Sequence, residues 1–98
     1  MSAVVLFVEI DTVPGQRDAF LARVRAHRAN VIKNEPGCQC SDISVPDDGD
    51  GKIRLYEVYA DQAAFDLHME TAYMKEYRAD TGPMVAGRVL AKAVLAND

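Results

Sequence analysis

The chain has 98 residues, 49% hydrophobic and 27% charged with no tryptophan, which describes one domain over residues 1–98 of globular composition and excludes a second. Its 11 Lys+Arg against 15 Asp+Glu leave a net charge of −4, without the basic face that nucleic-acid binding needs. The apolar run Ala3–Val8 meets Glu9 too soon for a membrane span and lacks a basic lead-in, so neither a membrane partner nor an export signal is expected.

Residues 3–10 are apolar on both parities, as in a strand covered on both faces. Pro14 suits a first helical turn, and Phe20, Leu21, Val24, His27, Val31 and Ile32 follow at steps of three and four, predicting a helix over 14–33. Its other faces carry Arg17, Arg23, Arg25, Arg28 and Lys33, and Glu35-Pro36-Gly37 stops it. Residues 38–45 form a second strand, 46–51 a hairpin loop rich in Asp and Gly, and 52–60 a third strand. Cys38 and Cys40, one residue apart on a strand, are expected to stay reduced, which suits a cytoplasmic address.

Asp61 is a plausible N-cap for a short helix over 62–69, a second helix runs over 72–78, and Gly82-Pro83 interrupts it. Residues 88–96 read as a closing strand. The order β-α-β-β-α-β, with the second helix broken, predicts an α+β ferredoxin-like antiparallel sheet with its helices on one face. The uncovered face is partly apolar, and a chain this small hides only about 60 to 65% of its unfolded surface, so a homodimer joined sheet to sheet is expected.

Polar residues set into apolar stripes are the candidates for chemistry. His27 falls where helix one demands burial, either as a core histidine bonded to a carbonyl or as a neutral base. His68, three residues after Phe65, carries the same two readings. Glu57 shares a strand face with Ile53, Leu55 and Tyr59 and needs a partner; Glu9 poses the same question, with Arg54 or Arg88 as counterions. Both carboxylates are read either as structural ion pairs or as a general acid or base. The four tyrosines and three phenylalanines are core or the lining of a cavity suited to a flat organic ligand. No metal-ligand spacing, phosphate-binding glycine loop or nucleophile elbow is present, and a nucleophilic Cys38 or Cys40 has little to support it.

Two stretches carry a resemblance: Asn34-Glu35-Pro36-Gly37-Cys38 between a helix and a strand, and Tyr56-Glu57-Val58-Tyr59-Ala60-Asp61 followed by Ala64-Phe65 and His68-x-x-Thr71. With the length and element order, they resemble the antibiotic biosynthesis monooxygenase family of dimeric ferredoxin-like α+β barrels. The resemblance implies a cofactor-independent oxygenase, a homodimer with one pocket per subunit between sheet and helices, acting on a small electron-rich quinol or anthrone and dioxygen. It makes His68 the catalytic base, with Glu57 and Tyr59 as catalytic partners that orient and donate hydrogen bonds. Phe65 and Tyr73 fall to substrate binding; His27 and Asn30 would close the other wall by their place on helix one and not by the motif. The haem-degrading branch is disfavoured because it uses a tryptophan. An isomerase of a phosphorylated quorum-sensing autoinducer is the rival; it would need cations such as Lys33, Arg28 or Arg54 in the pocket. A non-catalytic dimeric metabolite-binding protein is the third reading.

Overall fold

A computed structural model describes residues 2–47 and 52–97. The elements run β1 (Val4–Thr12), α1 (Arg17–Asn34), β2 (Cys38–Ser44), β3 (Lys52–Tyr59), α2 (Gln62–Glu70), α3 (Ala72–Thr81), a 3-10 turn (Gly82–Met84) and β4 (Val85–Val94). The strands form one antiparallel sheet in the order β2-β3-β1-β4, the ferredoxin-like α+β arrangement. Most of the expected hairpin loop, from residue 48 to 51, lies outside the described residues.

Side chains alternate across a strand, so register decides what meets the helices. Val4, Leu6, Val8 and Ile10 on β1 stand beside Tyr59, Glu57, Leu55 and Ile53 on β3. This row packs with Phe20, Leu21 and Val24 of α1 and with Met74 and Tyr77 of α3 to make the core. Glu57 therefore faces the helix layer. Glu9 points to the opposite face, where Lys52 Nζ lies 3.1 Å and Arg54 Nε 4.0 Å from its carboxylate. Arg88 is not its counterion, because it pairs with Ile10 and projects to the helix side.

Several boundaries shift for local reasons. α1 starts at Arg17 and not at Pro14, because Val13–Gln16 closes a turn in which the Gln16 amide donates to the Val13 carbonyl at 2.9 Å. Gly15 supplies the left-handed φ of 84° that this turn requires. Ile32 was expected on the buried stripe but is exposed; at about 100° per residue it lies roughly 100° from Val31. β4 begins three residues earlier than expected, at Val85, immediately after the 3-10 turn. α3 reaches Thr81, three residues further than expected.

The break between α2 and α3 is a double cap. Asp61 accepts a hydrogen bond from the Ala64 amide at 2.8 Å and starts α2. Thr71 ends it with its hydroxyl donating to the His68 carbonyl at 2.9 Å, and the same oxygen accepts from the Met74 amide at 3.2 Å to start α3. This puts His68 in the last turn of one helix and Tyr73 in the first turn of the next. Among the described residues, no helix is long and apolar enough to cross a membrane.

Candidate active site

The turn after α1 sets up the site. Glu35 caps α1, its amide donating to the Val31 carbonyl at 2.9 Å, and Gly37 leads into β2 with its carbonyl accepting from the Ala60 amide at 2.7 Å. A Cβ at Gly37 would stand 2.7 Å from the Cβ of Ala64, so only glycine lets α2 lie this close to the turn. That close approach lets Glu35 and His68 meet. Nδ1 of His68 lies 3.0 Å from each carboxylate oxygen of Glu35, and both side chains are buried. The Tyr73 hydroxyl donates to the same carboxylate.

A carboxylate offers only acceptors, so the Nδ1 of His68 carries a proton and Nε2 is the nitrogen turned away from Glu35. His68 lines a cavity of about 70 Å³ between the sheet and the helices. The sheet supplies Leu6, Val8, Ile10, Leu55 and Leu90, and the helices add Phe65, Met69 and Met74. Polar groups are few: His27, His68, Glu57 and Tyr77 line it, with the exposed Arg78 and Arg88. The chemistry open to such a site is proton transfer by a carboxylate-held imidazole in apolar surroundings.

The family model for antibiotic biosynthesis monooxygenases matches residues 3–80. The chain belongs to the antibiotic biosynthesis monooxygenase family. The solved structure of a Caulobacter crescentus CB15 protein, provisionally named a member of this family, superposes with a TM-score of 0.93 at 25% identity, over 98% of this chain and 92% of that one. A Nitrosomonas europaea protein with the same provisional name gives a TM-score of 0.89 at 24% identity, over 97% of this chain and 91% of that one, a likeness of fold. No match is found among curated proteins. The family match ends before β4, so Arg88 and Leu90 are features of this chain outside the matched span.

Within this monooxygenase fold the expected site residues divide. His68, Glu57, Phe65 and His27 all line the cavity. Tyr59 is fully buried beneath it, its hydroxyl donating to Glu57 Oε1 at 2.6 Å and its ring 5.0 Å from His68. Burial and then the Glu57 charge push its pKa upward. Its proton is thus committed to Glu57, and the expected donation to a ligand is replaced by support of Glu57. Tyr73 likewise spends its hydroxyl on Glu35, its pKa raised by burial and by that bond.

Asn30 is exposed, its carbonyl accepting from Asn34 at 2.9 Å, and does not reach the cavity. His27 and Val31 centre the buried stripe, and Asn30 falls roughly 90° to one side of it at 3.6 residues per turn. His27 stacks on Tyr77 with ring centroids 4.2 Å apart, and its Nδ1 is buried without a hydrogen-bond partner. Burial first, then His68 and Arg23, lower its pKa to about 4, which keeps the ring neutral.

The cations expected for a phosphate are elsewhere. Arg28 donates to the Ser41 carbonyl beside a smaller neighbouring cavity, Lys33 is exposed, and Arg54 lies on the far face of the sheet. Cys38 and Cys40 are free thiols; burial raises the Cys38 pKa to about 11, away from nucleophilic use. Among the described residues, no three His, Cys, Asp or Glu side chains gather as a metal site would require. Glu35 is the residue that sequence reasoning missed. It was visible only as part of a turn, and the signal that could have found it is a carboxylate two residues before an obligatory glycine, in a chain with a buried histidine to satisfy.

Proposed function

We propose that this chain is a cofactor-independent monooxygenase that oxidises a small electron-rich aromatic substrate, quinol or anthrone in type, with dioxygen. The observation that carries the reading is the Glu35–His68 pair at the wall of an apolar cavity. His68 Nε2 removes the acidic proton of the phenol or of the methylene beside the ring carbonyl. The electron-rich anion then reduces dioxygen directly, and a water-poor cavity favours that transfer over side reactions. For an anthrone, the methylene becomes a carbonyl; one atom of dioxygen enters the product and the other leaves as water with the two methylene hydrogens. Glu57, held by Tyr59, orients the substrate hydroxyl, and Phe65 and the neutral His27 bound the ring.

The whole chain acts as one domain and pairs as a cytoplasmic homodimer. An open groove of about 460 Å³ on the far sheet face, with Phe7, Tyr56 and Val89 exposed along it, supports sheet-to-sheet pairing. The isomerase reading loses the Arg28, Lys33 and Arg54 contacts it was expected to use. Oxygen uptake by the purified, metal-free protein with a panel of hydroquinones and anthrones tests the proposal. Uptake with a single labelled oxygen atom in the product is the expected result; no uptake across the panel, with turnover of a phosphorylated sugar instead, would overturn it.

A further inference from the structure

Arg78, near the end of α3, and Arg88, near the start of β4, both line the cavity and both are exposed, which places them at its rim. Neither side chain has a hydrogen bond or ion pair with any described residue. The neighbouring Arg23, by contrast, is spent on Asp80 at 2.8 Å, and Arg28 on the Ser41 carbonyl. Both residues border the same cavity. Arg88 stands opposite Ile10 on the helix-facing row, Arg78 follows Tyr77 in sequence, and both charges act on the Tyr77 hydroxyl, opposing the burial that raises its pKa to about 12.

Two unpaired cations at the mouth of an apolar cavity, on a chain of net charge −4, form a local positive focus. Guanidinium groups favour carboxylate and phosphate oxyanions, which they hold by paired charge-assisted hydrogen bonds. The walls behind them, Leu6, Val8, Ile10, Leu55 and Met74, offer nothing to a ligand bearing several hydroxyls, each of which would lose its water without replacement.

We propose that the substrate is an apolar ring system bearing one anionic substituent, carboxylate or phosphate monoester, which Arg78 and Arg88 hold at the rim while the oxidisable hydroxyl reaches His68. The proposal rests on this cavity being the substrate site. Glu57 sits within the same cavity, already bonded to Tyr59, and its charge steers the anion to the rim and not to the interior.

The test is binding without turnover, by calorimetry under nitrogen, of naphthol, a hydroxynaphthoate and naphthyl phosphate to the full chain and to an Arg78→Gln/Arg88→Gln double variant. One of the two anions is expected to bind the wild-type chain roughly tenfold or more tightly than naphthol. The double variant should bring that anion down toward the affinity of naphthol. In the wild-type chain the advantage should shrink as salt rises, because the rim charges are open to screening. The choice between carboxylate and phosphate is made by which anion leads. Equal affinity for naphthol and both anions, an advantage that survives in the double variant, or no binding by any of the three would overturn the proposal. Failure of the oxygenase reading is separate: it would appear as absent oxygen uptake in air while the anaerobic preference stands.

Discussion

Nδ1 of His68 lies 3.0 Å from both carboxylate oxygens of Glu35, 33 residues away in the chain. The contact fixes Nδ1 as a protonated nitrogen and leaves Nε2 as the proposed base. Replacing Glu35 by Gln keeps the shape but adds an amide donor that can turn toward Nδ1 and reverse the tautomer. Nitrogen chemical shifts of His68 should show protonated Nδ1 in the wild-type chain and a changed or mixed tautomer in Glu35→Gln. Turnover should fall by roughly 10²–10⁴-fold, the loss seen when a catalytic histidine loses its orienting carboxylate. Unchanged shifts and rates would remove Glu35 from the site.

Gly37 is expected to be intolerant of any side chain. A Cβ there meets Ala64 at 2.7 Å, and Ala64 belongs to the α2 backbone that carries His68. Gly37→Ala should destabilise the fold by about 1–3 kcal/mol in chemical denaturation, as overpacking does. Adding Ala64→Gly should recover part of this loss despite the weaker helix, a coupling that a double-mutant cycle measures directly.

His27 makes stability depend on pH. Its folded pKa is lowered from 6.5 to about 4 by burial and by the nearby His68 and Arg23, so between these values the unfolded chain binds more protons than the folded one. Stability tied to His27 is present above pH 6.5 and is lost as pH falls toward 4. His27→Phe keeps a ring against Tyr77 and removes the titration. Its melting temperature should fall less than that of the wild-type chain over this window, and parallel curves would contradict the assignment.

The far sheet face tests the dimer. Val89 is 65% exposed beside the exposed Phe7 and Tyr56 rings, which lie 5.2 Å apart. Light scattering on a sizing column should give about twice the 10.8 kDa chain mass, and Val89→Asp, which would bury a charge in the seam, should give the monomer. A wild-type monomer would contradict the pairing.

How far the sequence was legible depends on the range of each interaction. The strands announce themselves by β-branched and apolar runs and the start of α2 by the local cap Asp61, acting over three residues, whereas the Thr71 cap between α2 and α3 is evident only in the structure. His27 and His68 stood out because apolar neighbours at helical spacing demanded their burial. Glu35 did not, since its neighbours Pro36 and Gly37 already explained the position as a turn and its partner lies on another helix. Asn30 failed for a simpler reason: being three residues from His27 puts a side chain near the stripe without putting it on the stripe. Arg54 and Arg88 are both open to Glu9 by sequence, and only the β1–β4 register separates them by placing Arg88 and Glu9 on opposite faces.

The proposed reaction depends on a proton leaving the substrate for His68. Oxygen uptake by the metal-free wild-type chain and by His68→Gln, compared over one panel of hydroquinones and anthrones with circular dichroism to verify folding, tests that dependence. Uptake by the wild-type chain and a loss of roughly 10²–10⁴-fold in the variant is the expected outcome for removal of a general base. Equal rates in the two proteins, or no uptake by the wild-type chain with any member of the panel, would contradict it.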